Sequence, residues 1–228
     1  MTPRVLPPGQ HPAGLERFGL PRFAARRVVP PARPVVTVTG EVRHPAQLDL
    51  ADLLAGLPRR RQRSDLHCVT TWSALDLDWS GTPLREVLQR LSDVVTPHPR
   101  ARWLVATGLD GFAACLRLDD ARADDVLLAD ALGGAALSVA HGAPVRLVAP
   151  AHYGYKSVKH LVALEYRVGR PGGSAGWMEH PRGRVVREER SRLLPGPLWR
   201  RAWALALPLA RRPYRVGGDL GRVRTLER

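Results

Sequence analysis

Short strands interleaved with short helices, in no regular strand–helix–strand order, predict an α+β fold for this 228-residue chain. Two further observations favour one sizeable domain. There is no internal repeat or heptad run, and no apolar window approaches the roughly 18–20 residues of a membrane span. Hydrophobic content of 44% and charged content of 25% are those of a globular protein able to bury a substantial core.

Residues 1–34 are rich in proline and arginine and read as an extended N-terminal arm. Val35 to Val42 alternates β-branched residues and ends at a turn, which predicts the first strand. Asp49 to Leu57 has helical spacing with an acidic start. The basic run Arg59-Arg60-Arg61-Gln62-Arg63 leads into a short strand, Leu66 to Val69. Thr82 as N-cap and Pro83 at the first helical position predict a second helix. Arg102–Thr107 and Phe112–Leu118 read as strands flanking the Asp110-Gly111 turn, and Leu118–Ala121 starts a short helix. Val126–Leu132 is apolar, Val145–Val148 reads as a buried strand, and Val158–Tyr166 fits helix or strand. The composition shifts near residue 180. A main domain over 35–180 is therefore expected, with a basic tail over 181–228 that carries a short apolar helix ended by Pro208.

The net charge is +14, which suits anionic surroundings such as nucleic acid, an anionic membrane surface or an acidic partner. Nearly all of this charge is arginine. The sequence has no asparagine and no isoleucine, and its only two lysines, Lys156 and Lys159, share one segment, His152-Tyr153-Gly154-Tyr155-Lys156-Ser157-Val158-Lys159-His160. In a chain so biased toward arginine, a retained lysine marks a place where a compact charge on a flexible stem does what a planar guanidinium cannot. Cys68 and Cys115 lack zinc-type spacing and are too few for a disulfide scaffold. With no signal-peptide core at the start of the sequence, a cytoplasmic location with reduced thiols is expected.

Two constellations carry chemistry. Cys68 is followed by the polar run Val69-Thr70-Thr71-Trp72-Ser73 and preceded by the arginine run, a setting that favours a thiolate. A soft thiolate serves nucleophilic catalysis or ligation of a transition metal. Cys115, among apolar neighbours, reads as core. The second constellation brings His141, Arg146, Lys156 and Lys159 together with glycine-containing loops and Ser157. Such loops cradle phosphate, so a small anion or a phosphorylated cofactor is the expected ligand. No GxGxxG or Walker pattern occurs, which points away from an ordinary dinucleotide or NTP site. A cysteine hydrolase would need a base beside Cys68, and His67, its neighbour on a strand, points to the opposite face.

Several segments occur in an order that resembles the molybdopterin-binding domain of the sulfite oxidase family, in its bacterial branch. They are Cys68-Val69-Thr70-Thr71-Trp72-Ser73, Trp79-Ser80-Gly81-Thr82-Pro83-Leu84, Asp110-Gly111-Phe112, His141-Gly142-Ala143-Pro144-Val145-Arg146 and Tyr153-Gly154-Tyr155-Lys156-Ser157-Val158-Lys159. The resemblance covers roughly residues 35–167. It implies a mixed-sheet, single-domain fold and a molybdenum-cofactor oxidoreductase catalysing oxo transfer to or from a small substrate. Cys68 takes the position of the metal ligand. His141, Arg146, Ser157, Val158 and Lys159 take those that hold the pterin phosphate, with Lys156 beside them. Trp72 and Tyr153 are expected to wall the substrate cavity.

The family's arginine pair after the cysteine is replaced by Thr70-Thr71-Trp72, which points away from sulfite as substrate, and His160 stands where bacterial relatives have tryptophan. Gln10 or His11 takes the place of an asparagine contact to the cofactor. No haem or flavin motif is present, so electrons are expected to pass through a separate partner. No specific nucleic acid is expected, and the tail suggests peripheral membrane contact. The competing reading is a non-catalytic protein that keeps the fold and binds polyanions or a membrane surface.

Overall fold

The computed structural model describes residues 5–14, 23 and 26–210. Two sheets are built from strands β1 (His11–Pro12), β2 (Val35–Gly40), β3 (Ala46–Asp49), β4 (Arg60–His67), β5 (Trp72–Pro83), β6 (Trp103–Gly108), β7 (Ala113–Arg117), β8 (Leu127–Leu132), β9 (Ala135–Ala136), β10 (Arg146–Val148) and β11 (Leu161–Arg167). One sheet runs β1-β5-β8-β10, with β4 on β5 and β9 on β8; the other runs β3-β2-β11-β6-β7. Each mixes parallel and antiparallel neighbours: β1 joins β5, and β11 joins β2, in parallel. The mixed-sheet α+β expectation holds.

The larger core lies where helix α2 (Leu84–Val95) buries Leu84, Val87, Leu88, Leu91 and Val95 against Val36 and Val38 of β2 and Leu104 and Ala106 of β6. These helix positions recur at three- and four-residue spacing, the stripe that faces a core. A smaller cluster centres on the fully buried Trp79 with Leu66, Leu127 and Val148.

Local chemistry moved several boundaries. Thr82 is buried within β5 and Pro83 is the N-cap, so α2 starts one residue later than expected. The predicted Asp49–Leu57 helix shortens to α1 (Leu50–Leu54), with the Asp49 carboxylate accepting from Ala51 N at 2.8 Å. The sequence turns at Gly56, which has φ of 71°, and reaches Pro58 soon after. Helix α3 (Leu118–Ala121) lies where it was read. Val158–Tyr166 resolves as β11.

The arginine run is itself strand. β4 begins at Arg60 and ends at His67, pairing with β5 from Arg60↔Gly81 to His67↔Ser73. Its charges face outward and meet carboxylates: Arg59 pairs with Asp130 at 2.6 Å, and Arg61 Nε donates to Asp78 at 2.8 Å. The turn after β4 therefore holds Cys68 at the tip of a hairpin.

Residues beyond 180 fold back over the domain, where Val185 and Arg190 are buried. Helix α4 (Gly196–Ala210) follows and continues two residues past Pro208, which was expected to end it. It is too short to cross a membrane, and no helix among the described residues is long and apolar enough to do so. The end of the tail, residues 211–228, lies outside the described residues, as does most of the N-terminal arm before residue 26.

Candidate functional site: a thiol turn and a buried cation cluster

The hairpin tip is a tight turn in which Cys68 N donates to Trp72 O at 2.7 Å and Thr71 N donates to Cys68 O at 3.2 Å. Thr71 sits at φ of 82°, an uncommon state for a β-branched residue and a sign of local strain. The Cys68 side chain is partly exposed, with Sγ 3.0 Å from Thr70 Oγ1.

Two remote segments, around Gln10 and Arg190, and the adjoining His67 fix this turn from behind. Gln10 Nε2 donates to Cys68 O at 3.1 Å, and Gln10 Oε1 accepts from Ser73 Oγ at 2.9 Å. His67 Nδ1 lies 2.7 Å from the same Ser73 hydroxyl. Arg190 donates to Val69 O at 2.6 Å and to Pro8 O at 2.8 Å, with its guanidinium 5.1 Å from the centre of the Tyr153 ring. Gln10 or His11 was expected as a substitute contact to the cofactor; the Gln10 amide is engaged by the turn itself, and His11 is exposed on β1. Arg190 was missed, because nothing local marks one arginine among many as buried. The Arg59–Arg63 run, expected to favour a Cys68 thiolate, is tied to Asp130, Asp78 and a carbonyl of Asp124 instead.

The cation cluster assembles around Gly142. A side chain there would come within 3.1 Å of both Arg146 Cβ and Lys159 Cβ, and the backbone φ of 109° favours glycine, so the end of a short 3-10 helix (Val139–His141) packs closely on the start of β10 and the approach to β11. Arg146 is 2% exposed; it donates to His141 O at 2.9 Å and to Ser157 O at 3.1 Å. Its guanidinium lies 5.1 Å from the Trp79 ring. Its Nε has no hydrogen-bond partner, and no carboxylate pairs with it among the described residues. Burial alone pulls its pKa down to about 10. Lys159 Nζ donates to Ala140 O at 2.6 Å. Burial, reinforced by Lys159 and Arg146, lowers the pKa of His141. Ser157 Oγ accepts from Ala149 N at 3.1 Å, and Val158 is buried in the main core.

The structure thus brings together His141, Arg146, Ser157, Val158 and Lys159. Lys156 goes elsewhere. Its ammonium is fully buried, pairs with Glu179 at 3.1 Å, and donates to Cys115 O at 2.5 Å and Pro181 O at 3.0 Å. An ammonium has three protons, and all three are committed here, so Lys156 has none left for a cofactor. Trp72 and Tyr153, expected as cavity walls, are both buried.

One segment links the two centres. Tyr153 bridges to His67, next to Cys68, and six residues later Lys159 touches Gly142. At no more than about 3.5 Å per residue, Tyr153, beside the thiol turn, and Lys159, in the cation cluster, lie within about 21 Å of each other. Among the described residues no group of three or more His, Cys, Asp or Glu is placed to hold a metal ion. A metal at Cys68 would take most of its donors from a cofactor.

Residues 26–173 match the family described as "Oxidoreductase molybdopterin binding domain". The chain belongs to this family. The protein-methionine-sulfoxide reductase catalytic subunit MsrP of Xanthomonas campestris pv. campestris is 35% identical over 146 residues, which cover 58% of this chain and 44% of that protein. YuiH of Bacillus subtilis, an uncharacterized oxidoreductase, is 35% identical over 129 residues, covering 57% of this chain and 63% of that one. Among solved structures, the sulfane dehydrogenase SoxCD of Paracoccus pantotrophus superposes with a TM-score of 0.53 at 21% identity, over 78% of this chain and 46% of that chain. The last likeness is one of fold. This molybdopterin-binding chain spans about half the length of the MsrP relatives it matches.

Proposed function

We propose that this domain holds a molybdenum cofactor and serves an oxidoreductase that moves an oxo group to or from a small substrate. Cys68 is the protein's ligand to the metal. His141, Arg146, Lys159 and the Ser157–Val158 turn hold the phosphate end of the pterin. When bound, the molybdenum centre supplies two-electron oxo transfer, chemistry no side chain here performs.

The observation that carries this reading is Arg146. A buried guanidinium without a carboxylate is costly, and removing the carboxylate of a buried pair typically destabilises by about 3–5 kcal/mol. The site keeps this charge beside His141 and Lys159, with Nε unsatisfied. An anion brought by a ligand offsets that cost. The donor set suits a phosphate at this end and a soft metal at the thiol end.

The chain's own part is to bind and orient. Arg146 and Lys159 fix the anion as charges that reorganise little on binding, since both also donate to backbone carbonyls. His141 stays mostly neutral at pH 7 in the absence of an anion and gains a proton more readily once negative charge is beside it. The Gln10 and Arg190 contacts hold Cys68 at a fixed place on its hairpin. The MsrP relatives are named as catalytic subunits. In keeping with that, electrons here pass to or from a separate partner, and the substrate is a small molecule.

Protein made in a host that synthesises molybdopterin is expected to carry about one molybdenum per chain, measured by elemental analysis alongside pterin fluorescence. Cys68→Ser is expected to lose the metal but retain pterin, and Lys159→Ala to lose both. Metal-free wild-type protein from such a host would sink the reading. Full occupancy in Lys159→Ala would remove the phosphate assignment.

A further inference from the structure

Helix α4 has two faces with different fates. Trp199 and Trp203 are half-buried and pack against Trp177, itself 50% exposed at the edge of the domain, with rings 5.2 and 6.4 Å from its own. Arg200 reaches Glu188 at 3.3 Å and lies against Gly9, where a side chain would collide with it. Gly196 abuts the Glu188 backbone just as closely. These contacts dock the helix on the domain. The opposite face is bare: Leu198 is 50% and Leu205 82% exposed, seven residues apart and so on the same side, with exposed Ala202 between them. Leu193 and Leu194, just before the helix, are exposed as well.

The charge of this region is one-sided. From Arg190 to Gly218 the sequence has seven arginines and no aspartate or glutamate. Of these, Arg192 and Arg201 stand exposed beside the bare leucines. Leucine with arginine on an outward helix face, the one carboxylate beside the helix, Glu188, being held by Arg200 on its docked side, matches a surface that is apolar beneath and negative on top. A globular partner would have to bury the leucines and neutralise arginines at separate points; an anionic lipid surface does both everywhere along the face.

We propose that the outward face of α4, with the Leu193-Leu194 segment before it, docks this protein on an anionic lipid surface. The docking is peripheral: the leucines enter the headgroup boundary and Arg192 and Arg201 lie among the lipid phosphates. The stack of Trp177 with Trp199 and Trp203, on the helix side away from Leu198 and Leu205, fixes the orientation of the domain. The proposal does not depend on the redox reading.

Flotation of the full chain with vesicles tests it. Vesicles of three parts phosphatidylglycerol to seven of phosphatidylcholine are expected to carry the protein up the gradient, and pure phosphatidylcholine vesicles to carry little. The double variant L198D/L205D alters only exposed positions, so its melting temperature should match wild type while its partitioning falls at least tenfold. Arg201→Gln should weaken partitioning about fivefold at low salt. Wild-type protein that stays at the bottom with both vesicle types overturns the proposal. So does L198D/L205D floating as well as wild type, which would mean adhesion by the overall positive charge alone. A wild-type dimer in solution that this double variant abolishes, without flotation, would assign the face to a second copy and overturn it equally.

Discussion

Lys156 and Glu179 form an ion pair at 3.1 Å in which neither side chain is more than 1% exposed. Glu179 comes from beyond the matched family residues and Lys156 from the middle of the loop carrying Ser157 and Lys159, so the pair fastens the following segment onto the site. The Cys115 thiol donates to the same carboxylate at 3.0 Å. Breaking such a pair from one side leaves a bare buried charge. Lys156→Met and Glu179→Gln are each expected to cost about 3–5 kcal/mol in urea unfolding, or a drop of about 2–4 °C in Tm per kcal/mol. Lys156→Met/Glu179→Leu together should recover much of the loss. Single variants within about 1 kcal/mol of wild type would show that the pair is dispensable.

Arg190 acts on the thiol through the backbone. It is a positioning residue, so its loss should change Cys68 before it changes the fold. Cofactor-free Arg190→Met is expected to alkylate at Cys68 several times faster than wild type with iodoacetamide, because the turn loosens. Arg190→Lys should behave like the methionine variant, since one compact ammonium does not reproduce a fork spanning Val69 O and Pro8 O. Unchanged alkylation rates in both variants would confine Arg190 to bulk stability.

Gly142 has φ of 109° and sits against Arg146 and Lys159. Gly142→Ala strains the backbone and pushes the two cations apart, at a cost of about 1–3 kcal/mol. Elemental analysis should find molybdenum lost far beyond what the small drop in Tm accounts for. Retained metal in a folded Gly142→Ala protein would place the anion elsewhere.

The pH limbs of stability have separate owners. Burial alone would raise the Asp120 carboxyl, yet the His152 ring and Arg182 beside it hold it well below the usual carboxylate range. Glu189, likewise opposed by burial, is brought down to about 2, chiefly by Arg184. Depressed carboxylates stabilise the fold above their ordinary values near 4, and that contribution is lost as pH falls from about 4 toward 2. Asp120→Asn and Glu189→Gln should flatten the acid limb of a Tm-versus-pH curve. At the other end, burial pushes the Cys115 thiol up to about 11 against the opposing charge of Lys156, with the Glu179 hydrogen bond adding to the rise. Its contribution is complete below about pH 9 and disappears as pH rises through 11. Cys115→Ala should remove that slope, and one thiol per native, cofactor-free chain should react at pH 8.

Much of the cation cluster was legible because its residues lie within one stretch, His141 to Lys159, and lysine is rare enough here to stand out. Short-range order likewise placed α3 and the β6–β7 pair. Strand β5 was not read, because its twelve residues carry Ser, Asp, Gly and Pro on positions that β4 and β8 flank from both sides; only the pairing explains them. The burial of Lys156 was not legible for a similar reason. Its partner Glu179 lies 23 residues away in a segment with no periodic signal, and burial of a charge depends on that partner. Arg190 contacts a carbonyl 182 residues away, a distance over which sequence pattern carries no information.

That last contact also bears on the order in which the molecule is made. The carbonyl of Val69 emerges 121 residues before the arginine that fixes it, which at about 5–20 residues per second is roughly 6–24 s of synthesis. Throughout that interval the hairpin tip has its thiol but not its clamp. The Cys68 turn therefore gains its Arg190 contact only after residue 190 has been made, so its final placement is a late event in synthesis.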